Sequence, residues 1–313
     1  MLLLILRRLA ISIPLLFLVS IVTFVLEAFI PGDPASNLLG ANATAAQYAQ
    51  VRAALHLNEP LIVQYGIYLS GLFHGSLGTS IFTGNDVAQT LSQRLPVSLS
   101  IIVLTTAVSG TLGIVIGVIS ATSRRGVRRV LDGITPIGFA LPNFWVALVL
   151  SSIFAVSLPI FPATGYTPFT DSPAQWLLGL VLPVVALTFA GVTSVAKVAR
   201  DGMLQALSQD YIRTLRSCGI PRRSLVWRHA LRNSGTKIVT VLGNIFIGAL
   251  SGTVLVEAVF VLPGLGSLAV SATNSHDIPV VQGVALAFTV VVVVVNLIVD
   301  VTYGLIDPRV RIK

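Results

Sequence analysis

The sequence predicts an all-helical protein that crosses a membrane six times. Of its 313 residues, 54% are hydrophobic and only 10% are charged, whereas about 25% of residues are charged in soluble domains. The mean hydropathy of +0.89 is also high for a soluble chain. Six apolar stretches are long enough to cross a hydrocarbon core of roughly 30 Å, which takes about 20 residues of helix. They run from Leu9 to Ile30, Val97 to Thr122, Gly133 to Leu158, Trp176 to Ala196, Ile238 to Val256 and Val280 to Tyr303.

The first span is predicted to remain in the protein as an anchor. Its apolar part is too long for a signal peptide, and no small-residue cleavage site precedes the sequence PGDP at residues 31–34. Residues 1–30, the tail and this span, form the first predicted domain.

Residues 31–96 are too polar to insert and too long for a plain connection, so we expect a small extracytoplasmic subdomain. Thr44 is predicted to cap a helix in TAAQYAQVRAALHL. The stretch PLIVQYGIYLSGLF is typical of an interfacial helix, with Tyr65 and Tyr68 at the level of the headgroups. The remaining residues, 97–313, form the predicted membrane core.

The positively charged residues fall on alternate sides of the predicted spans. Of the 20 Lys and Arg, all but Arg52 and Arg94 lie before the first span or after the second, fourth and sixth. By the positive-inside rule, both termini and the segment from Lys197 to Lys237 face the cytoplasm. This distribution accounts for the sequence pI of about 10.2, so no nucleic-acid partner is expected.

The segment from Lys197 to Lys237 concentrates arginine in the stretch DYIRTLRSCGIPRRSLVWRHALRNS. Its apolar residues recur at steps of three and four, which predicts one face of a helix. Gly219 is predicted to end this helix in a left-handed conformation, and Pro221 to begin a second short helix that ends near Asn233. The predicted apolar face consists of Leu204, Leu207, Tyr211, Leu215 and Cys218.

Charge alone supports two interpretations of this basic segment equally. It is either a docking element for a cytoplasmic partner or a solvated topology signal that touches anionic lipid. An arginine at the centre of a bilayer costs about 3 kcal/mol on insertion scales, so the segment stays outside the membrane in both cases.

A few residues in the third span and at the end of the fifth are weak candidates for lining or gating a pathway through the membrane. Pro142 removes a backbone donor and favours a kink. Phe139, Phe144 and Trp145 either narrow a pathway at this point or simply pack between helices. Glu257 is either a satisfied carboxylate, which we favour, or a residue that contacts substrate or gates the pathway.

No enzymatic or metal chemistry is predicted for the chain itself. A phosphate-binding P-loop requires Gly-Lys followed by Ser or Thr, and Lys197, Lys237 and Lys313 follow Ala, Thr and Ile. The four histidines lack ligand-like spacing, and a single cysteine cannot form an internal disulfide. No cofactor is therefore expected in this chain.

Composition and charge leave two functions open that do not involve ATP, an ion-coupled transporter and a membrane scaffold. An ion-coupled secondary transporter normally carries ionisable residues deep in its helices, yet none lies near the middle of the second, third and fourth spans. The other is a membrane scaffold or receptor whose basic loop binds a signalling partner.

The pattern DYIRTLRSCGIPRR...RHALRN resembles the cytoplasmic EAA loop of bacterial ATP-binding-cassette importer permeases, in the version of the dipeptide/oligopeptide/nickel permease family. Further stretches resemble this family along nearly the full length, among them LILRRLAISIPLLFLVSIVTFVLEAFIPGDP, QRLPVSLSIIVLTT, LPNFWVALVLSSIFAV and VEAVFVLPGLGSLAV. The long segment after the first span resembles the B-type of the two paired permease subunits.

This resemblance implies a permease subunit of an importer for short peptides in the bacterial plasma membrane. The implied partners are a second permease, two cytoplasmic ATPase subunits that bind ATP and Mg²⁺, and an extracytoplasmic solute-binding protein. Peptide, nickel-complex, glutathione and haem importers share such permeases, so the sequence leaves the substrate open.

The same resemblance implies that the basic segment docks on an ATPase and moves as a lever. Arg213, Thr214 and Leu215 stand where the EAA motif stands, before the family's glycine, here Gly219. The family often has Ala where this chain has Leu215, and Pro a few residues after LRN, where this chain has SGTK. The residues implied in coupling are Asp210, Tyr211, Arg213, Thr214, Leu215, Gly219, Arg228 and His229.

Overall fold

The computed structural model describes residues 2–40, 43–124, 126, 133, 138 and 140–306. These residues are mostly helical, and they contain no strand apart from an isolated bridge between Thr79 and Asp86. The all-helical prediction is thus confirmed. The helices are α1 (Leu2–Ala28), α2 (Pro34–Leu39), α3 (Ala45–Ala54), α4 (Leu61–Phe73), α5 (Val87–Thr122), α6 (Asn143–Ser151), α7 (Pro173–Leu207), α8 (Asp210–Ser217), α9 (Arg222–Phe260), α10 (Leu265–Ser275) and α11 (Ile278–Ile306).

Within the described part of the chain, five helices are long and apolar enough to cross a membrane: α1, α5, α7, α9 and α11. They contain all or most of the predicted first, second, fourth, fifth and sixth spans, and the helices of the second, fourth and fifth extend about ten or more residues beyond the predicted ends. The predicted third span falls on an apolar helical stretch, Asn143–Ser157, which is shorter than a span, and most residues before it lie outside those described. The third span therefore stays a prediction.

The ends of several helices follow from local sequence. Thr44 caps α3 as predicted, and it forms a capping box with Gln47. Asp33 caps α2 with Pro34 at the first helical position, and Ser172 with Pro173 begins α7 in the same way.

One compact unit comprises the described residues of 99–262 and 294–306. Small residues allow its long helices to approach closely. A Cβ on Gly117 of α5 would lie 2.7 Å from the carbonyl oxygen of Ala196, and a Cβ on Gly202 of α7 would lie 2.9 Å from Ser234. Because only glycine fits at these contacts, α7 packs tightly against both α5 and α9.

A second compact unit comprises residues 2–98 and 263–293. Its buried core includes Val87, Leu91, Leu265 and Val284. The Ser98 hydroxyl accepts a hydrogen bond of 2.8 Å from the Leu265 N–H at the start of α10. This unit contains the segment predicted to form the extracytoplasmic subdomain.

Candidate functional site

The basic segment joins α7 to α9 and contains the short helix α8. α7 ends at Leu207, and Gln209 is extended, with φ −73° and ψ 150°. The chain therefore leaves the axis of α7 before α8 begins at Asp210. Because α7 and α9 are both long enough to cross a membrane, α8 lies between two membrane-crossing helices.

Ile212 and a side-chain hydrogen bond hold α8 in place next to the start of α9. Ile212 is the only fully buried residue of this helix, and α8 packs against a π-helical turn of α9, Leu225–Ala230. The Asn233 side-chain amide also donates a hydrogen bond of 3.3 Å to the Tyr211 hydroxyl. Burial of an isoleucine side chain contributes about 2 kcal/mol, and together with the contact to Leu225–Ala230 and the Asn233–Tyr211 bond it attaches α8 to the fold.

The opposite face of α8 is polar and solvent-exposed. Arg213 Nη1 lies 3.0 Å from Asp210 Oδ1, but these side chains are 76% and 92% exposed, and such surface ion pairs contribute little to stability. Thr214 is exposed and Leu215 is half-buried. This face is therefore free to contact a partner.

Gly219 ends α8 in the predicted left-handed conformation, with φ +78°. Its N–H donates to the Arg216 carbonyl at 3.0 Å, and the Ile220 N–H donates to the Leu215 carbonyl at 3.2 Å. These two bonds form a Schellman motif. Among the residues that the structure describes, no neighbouring atom lies within 4 Å of the position of a Cβ on Gly219, so the backbone conformation favours glycine there.

The predicted second short helix, from Pro221 to Asn233, is not a separate element. α9 begins at Arg222 and continues to Phe260 over 39 residues. Pro221 precedes it as predicted, but no proline follows before Pro263, the helix continues through Gly235, and it only widens into the π-helical turn Leu225–Ala230. After the turn at Gly219, α8 is therefore followed by one continuous helix that is long enough to cross a membrane.

The predicted apolar face is also wrong in part. The helix breaks at Ser208–Gln209, so steps counted along α7 do not continue into α8. Tyr211 and Cys218 are exposed, whereas Ile212, which the periodicity left off this face, is buried. The available signal was that Ile212 is one of two aliphatic residues in the polar sequence DYIRTLRS.

Arg228 and His229 lie in the π-helical turn against which α8 packs. Arg228 is exposed and His229 is half-buried. The surface around α8 is therefore positively charged on both elements.

The pathway candidates fall into different environments. Phe139 lies outside the described residues. Pro142 caps α6, and Phe144 and Trp145 are 44% and 50% exposed, whereas Glu257 is fully buried in α9. The structure provides no common surface on which these residues would form a gate within the described part of this chain.

Asn143, at the start of α6, was missed by the sequence reasoning. A Cβ on Gly252 of α9 would lie 3.4 Å from Asn143 Nδ2, so the amide approaches the backbone of α9 directly. A lone amide in the apolar sequence NFWVALVLS was the available signal, because a polar side chain in a span is costly unless it finds a partner.

A polar cluster in the second unit was also missed. The Asp33 carboxylate accepts a hydrogen bond of 2.9 Å from the Ala35 N–H, and it accepts others from the Tyr48 hydroxyl and Arg52 Nη1. Burial acts to raise the pKa of Asp33, but the hydrogen bonds from Tyr48 and Ala35 and the charge of Arg52 together lower it. The cluster joins α2 to α3.

Family models match nearly the whole chain. Residues 113–312 match the family described as the inner membrane component of binding-protein-dependent transport systems, and residues 1–102 match the N-terminal family of the same membrane components.

Several named relatives match over almost their full length. A Brucella abortus protein provisionally named a peptide transport system permease is 40% identical over 313 residues, 98% of each chain. The oligopeptide transport system permease protein AppB of Bacillus subtilis is 34% identical over 313 residues, again 98% of each chain. The dipeptide transport system permease protein DppB of the same organism is 34% identical over 302 residues, which are 95% of this chain and 94% of the relative.

A solved structure shares the fold. The inward-facing MetNI methionine ABC transporter contains a chain that matches with a TM-score of 0.55 and 16% identity, over 70% of this chain and 97% of that one.

Proposed function

The chain belongs to the family of binding-protein-dependent transport system inner membrane components, and we propose that it is a permease subunit of an ATP-driven importer for short peptides. The peptide permeases that match it end to end support this substrate class. The structural observation that carries the mechanism is α8, which is held by Ile212, exposes its polar face and lies between two membrane-crossing helices.

In this proposal the chain forms half of a translocation pathway with a second permease. Two ATPase subunits, which bind ATP and Mg²⁺, lie on the cytoplasmic side, and a solute-binding protein delivers peptide from outside. The positive-inside rule supports an orientation in which both termini and α8 are cytoplasmic. Residues 31–96 then form the extracytoplasmic subdomain.

Asp210, Arg213 and Thr214 present the exposed face of α8 to an ATPase. Closure of the ATPases displaces α8, and α8 passes the displacement to α9 because it packs against the first turns of that helix. The hydrogen-bonded turn at Gly219 keeps the angle between α8 and α9 constant, so the movement is transmitted as a rigid-body rotation. α7, at the other end of α8, moves with it.

The test is reconstitution of the complete transporter in liposomes. Peptide uptake should require ATP and the solute-binding protein, and it should persist when ionophores collapse ion gradients. Uptake by this chain alone, abolished by an ionophore, would instead identify an ion-coupled transporter. Copurification with a non-ATPase partner in the absence of any transport would identify a scaffold.

A further inference from the structure

Two cavities lie side by side where the end of α5 meets the start of α9. Their volumes are about 490 and 460 Å³, and both are lined by Thr122, Arg222 and Val226. Arg216 lines the first cavity, and Arg223 lines the second. Together they form one surface, here called the arginine groove.

The positive charge of the arginine groove is not neutralised by the described residues. Arg222 Nη2 donates a hydrogen bond of 3.1 Å to the Thr122 carbonyl at the end of α5, which leaves its charge unpaired. Arg216 and Arg223 form no side-chain hydrogen bond or ion pair within the described part of the chain. No Asp or Glu of that part lines either cavity, so the groove favours an anion.

The wall of the arginine groove is apolar and open. Ile119 and Trp227 line the second cavity and are 45% and 47% exposed. The predicted span in α5 ends at Thr122, so the groove lies at the edge of the hydrocarbon layer on this helix. Tryptophan next to arginine is typical of that level, where one side of a residue contacts acyl chains and the other contacts headgroups.

We propose that the arginine groove binds the headgroup phosphate of an anionic phospholipid in the inner leaflet, with an acyl chain along Ile119 and Trp227. A soluble anion would need the arginines alone, whereas the exposed apolar wall matches an amphiphile. The inference rests on the proposed cytoplasmic orientation of α8. Because Arg216 belongs to α8 and Arg222 begins α9, the lipid contacts both sides of the turn at Gly219.

Tryptophan fluorescence tests this proposal in the full-length chain. The protein has three tryptophans, so W145F/W176F leaves Trp227 as the sole reporter. In nanodiscs, brominated phosphatidylglycerol should quench Trp227 at least about twofold more strongly than brominated phosphatidylcholine at the same mole fraction. Inorganic phosphate should not relieve this quenching.

The double substitution R222Q/R223Q should weaken the preference for phosphatidylglycerol on the order of tenfold, since each interfacial arginine contributes to anionic-lipid binding. The matched control, R228Q/R232Q, removes the same charge from the same helix outside the groove and should keep the preference. Circular dichroism and elution volume establish that both variants are folded.

Equal quenching by the two lipids, or an equal loss in both double variants, would overturn the proposal. Relief of quenching by inorganic phosphate would identify a site for free anions and would also overturn the proposal. If ATPase subunits protected Trp227 and the two lipids quenched it equally, the groove would be a protein contact and not a lipid site. None of these readouts requires transport, so the lipid proposal can fail while the importer assignment stands, and the reverse. The orientation of α8 is tested separately, by access of a thiol reagent to Cys218 beside Gly219.

Discussion

Gly219 adopts a conformation that most side chains disfavour, at the point where α8 turns toward α9. Its φ of +78° and its two flanking hydrogen bonds define the angle of that turn. Because space is available for a Cβ, a substitution tests the backbone conformation without creating a clash.

Gly219→Val should strain the turn by about 1 kcal/mol or more, since a β-branched residue is unfavourable at positive φ. The variant should insert normally but lose stimulated ATP hydrolysis and peptide uptake in the reconstituted transporter. Gly219→Asn is the matched control, because asparagine tolerates this region, and it should retain most activity. Full transport by the valine variant would refute the role of α8 as a lever.

Val261 provides an independent case of the same backbone conformation. It follows Phe260 at the end of α9 with φ 51°, and its side chain is 64% exposed. Val261→Gly should therefore be more stable than Val261→Ala by about 1 kcal/mol, the reverse of the order inside a helix. Thermal unfolding of the two variants in detergent measures the difference, and an alanine variant of equal or greater stability would contradict it.

The Asp33 cluster predicts that the local stability of α2 and α3 depends on pH. The pKa of Asp33 is lowered in the folded protein, so its stabilising contribution is complete above the unfolded pKa of about 3.9 and is lost as pH falls through the folded pKa. The protection of residues 43–57 from hydrogen exchange, relative to the intrinsic rate at each pH, should therefore fall in acid below about pH 4. In Asp33→Asn this protection should be lower at neutral pH and depend less on acid, and an identical acid response in both proteins would remove this role.

The helices show how far the sequence determines the structure. Five spans, the cap at Thr44 and the left-handed Gly219 follow from hydropathy and local backbone preference, which act over a few residues. The break at Ser208–Gln209 was missed because neither residue is a strong helix breaker. The continuity of α9 was missed because Pro221 marks where a helix can begin and carries no information about where it ends.

The burial of Ile212 depends on tertiary contact and not on periodicity, and it predicts the behaviour of α8. Ile212→Ala should weaken attachment of α8 to α9 by about 2–4 kcal/mol, with faster hydrogen exchange over residues 208–221 and weaker coupling of ATP hydrolysis to uptake. Ile212→Val should have an effect of about 1 kcal/mol.

Ser217→Ala is the control for this series, because Ser217 is exposed on α8 and its hydroxyl donates to the Arg213 carbonyl of the same helix at 3.1 Å. It should leave exchange and coupling close to the unsubstituted protein. If Ile212→Ala behaved like Ser217→Ala in both measurements, α8 would not act through its contact with α9.

The proposed orientation of the whole chain rests on charge, because lysine and arginine are retained on the cytoplasmic side during insertion. Neither family membership nor the helices themselves contain this information: a bundle of apolar helices is equally stable with either face inward. The two residues that break the alternation, Arg52 and Arg94, lie in the segment assigned to the outside. Arg52 has a local explanation there, since it forms an ion pair with Asp33.

Cys218 tests this orientation directly. It is the only cysteine of the chain and it is exposed beside Gly219, so access depends on the side of the membrane and not on burial. A membrane-impermeant maleimide should label it in inside-out vesicles and not in intact cells. The variant C218S/A49C moves the thiol to the exposed surface of α3 and should reverse the result.

The same thiol also tests whether α8 docks on the ATPases. In vesicles, labelling of Cys218 should fall when the ATPases are present and change with nucleotide, because α8 is then covered. Labelling of Cys218 from outside intact cells would overturn the topology. If labelling in vesicles were the same with and without the ATPases and nucleotide, the topology would stand but α8 would not be part of the docking interface.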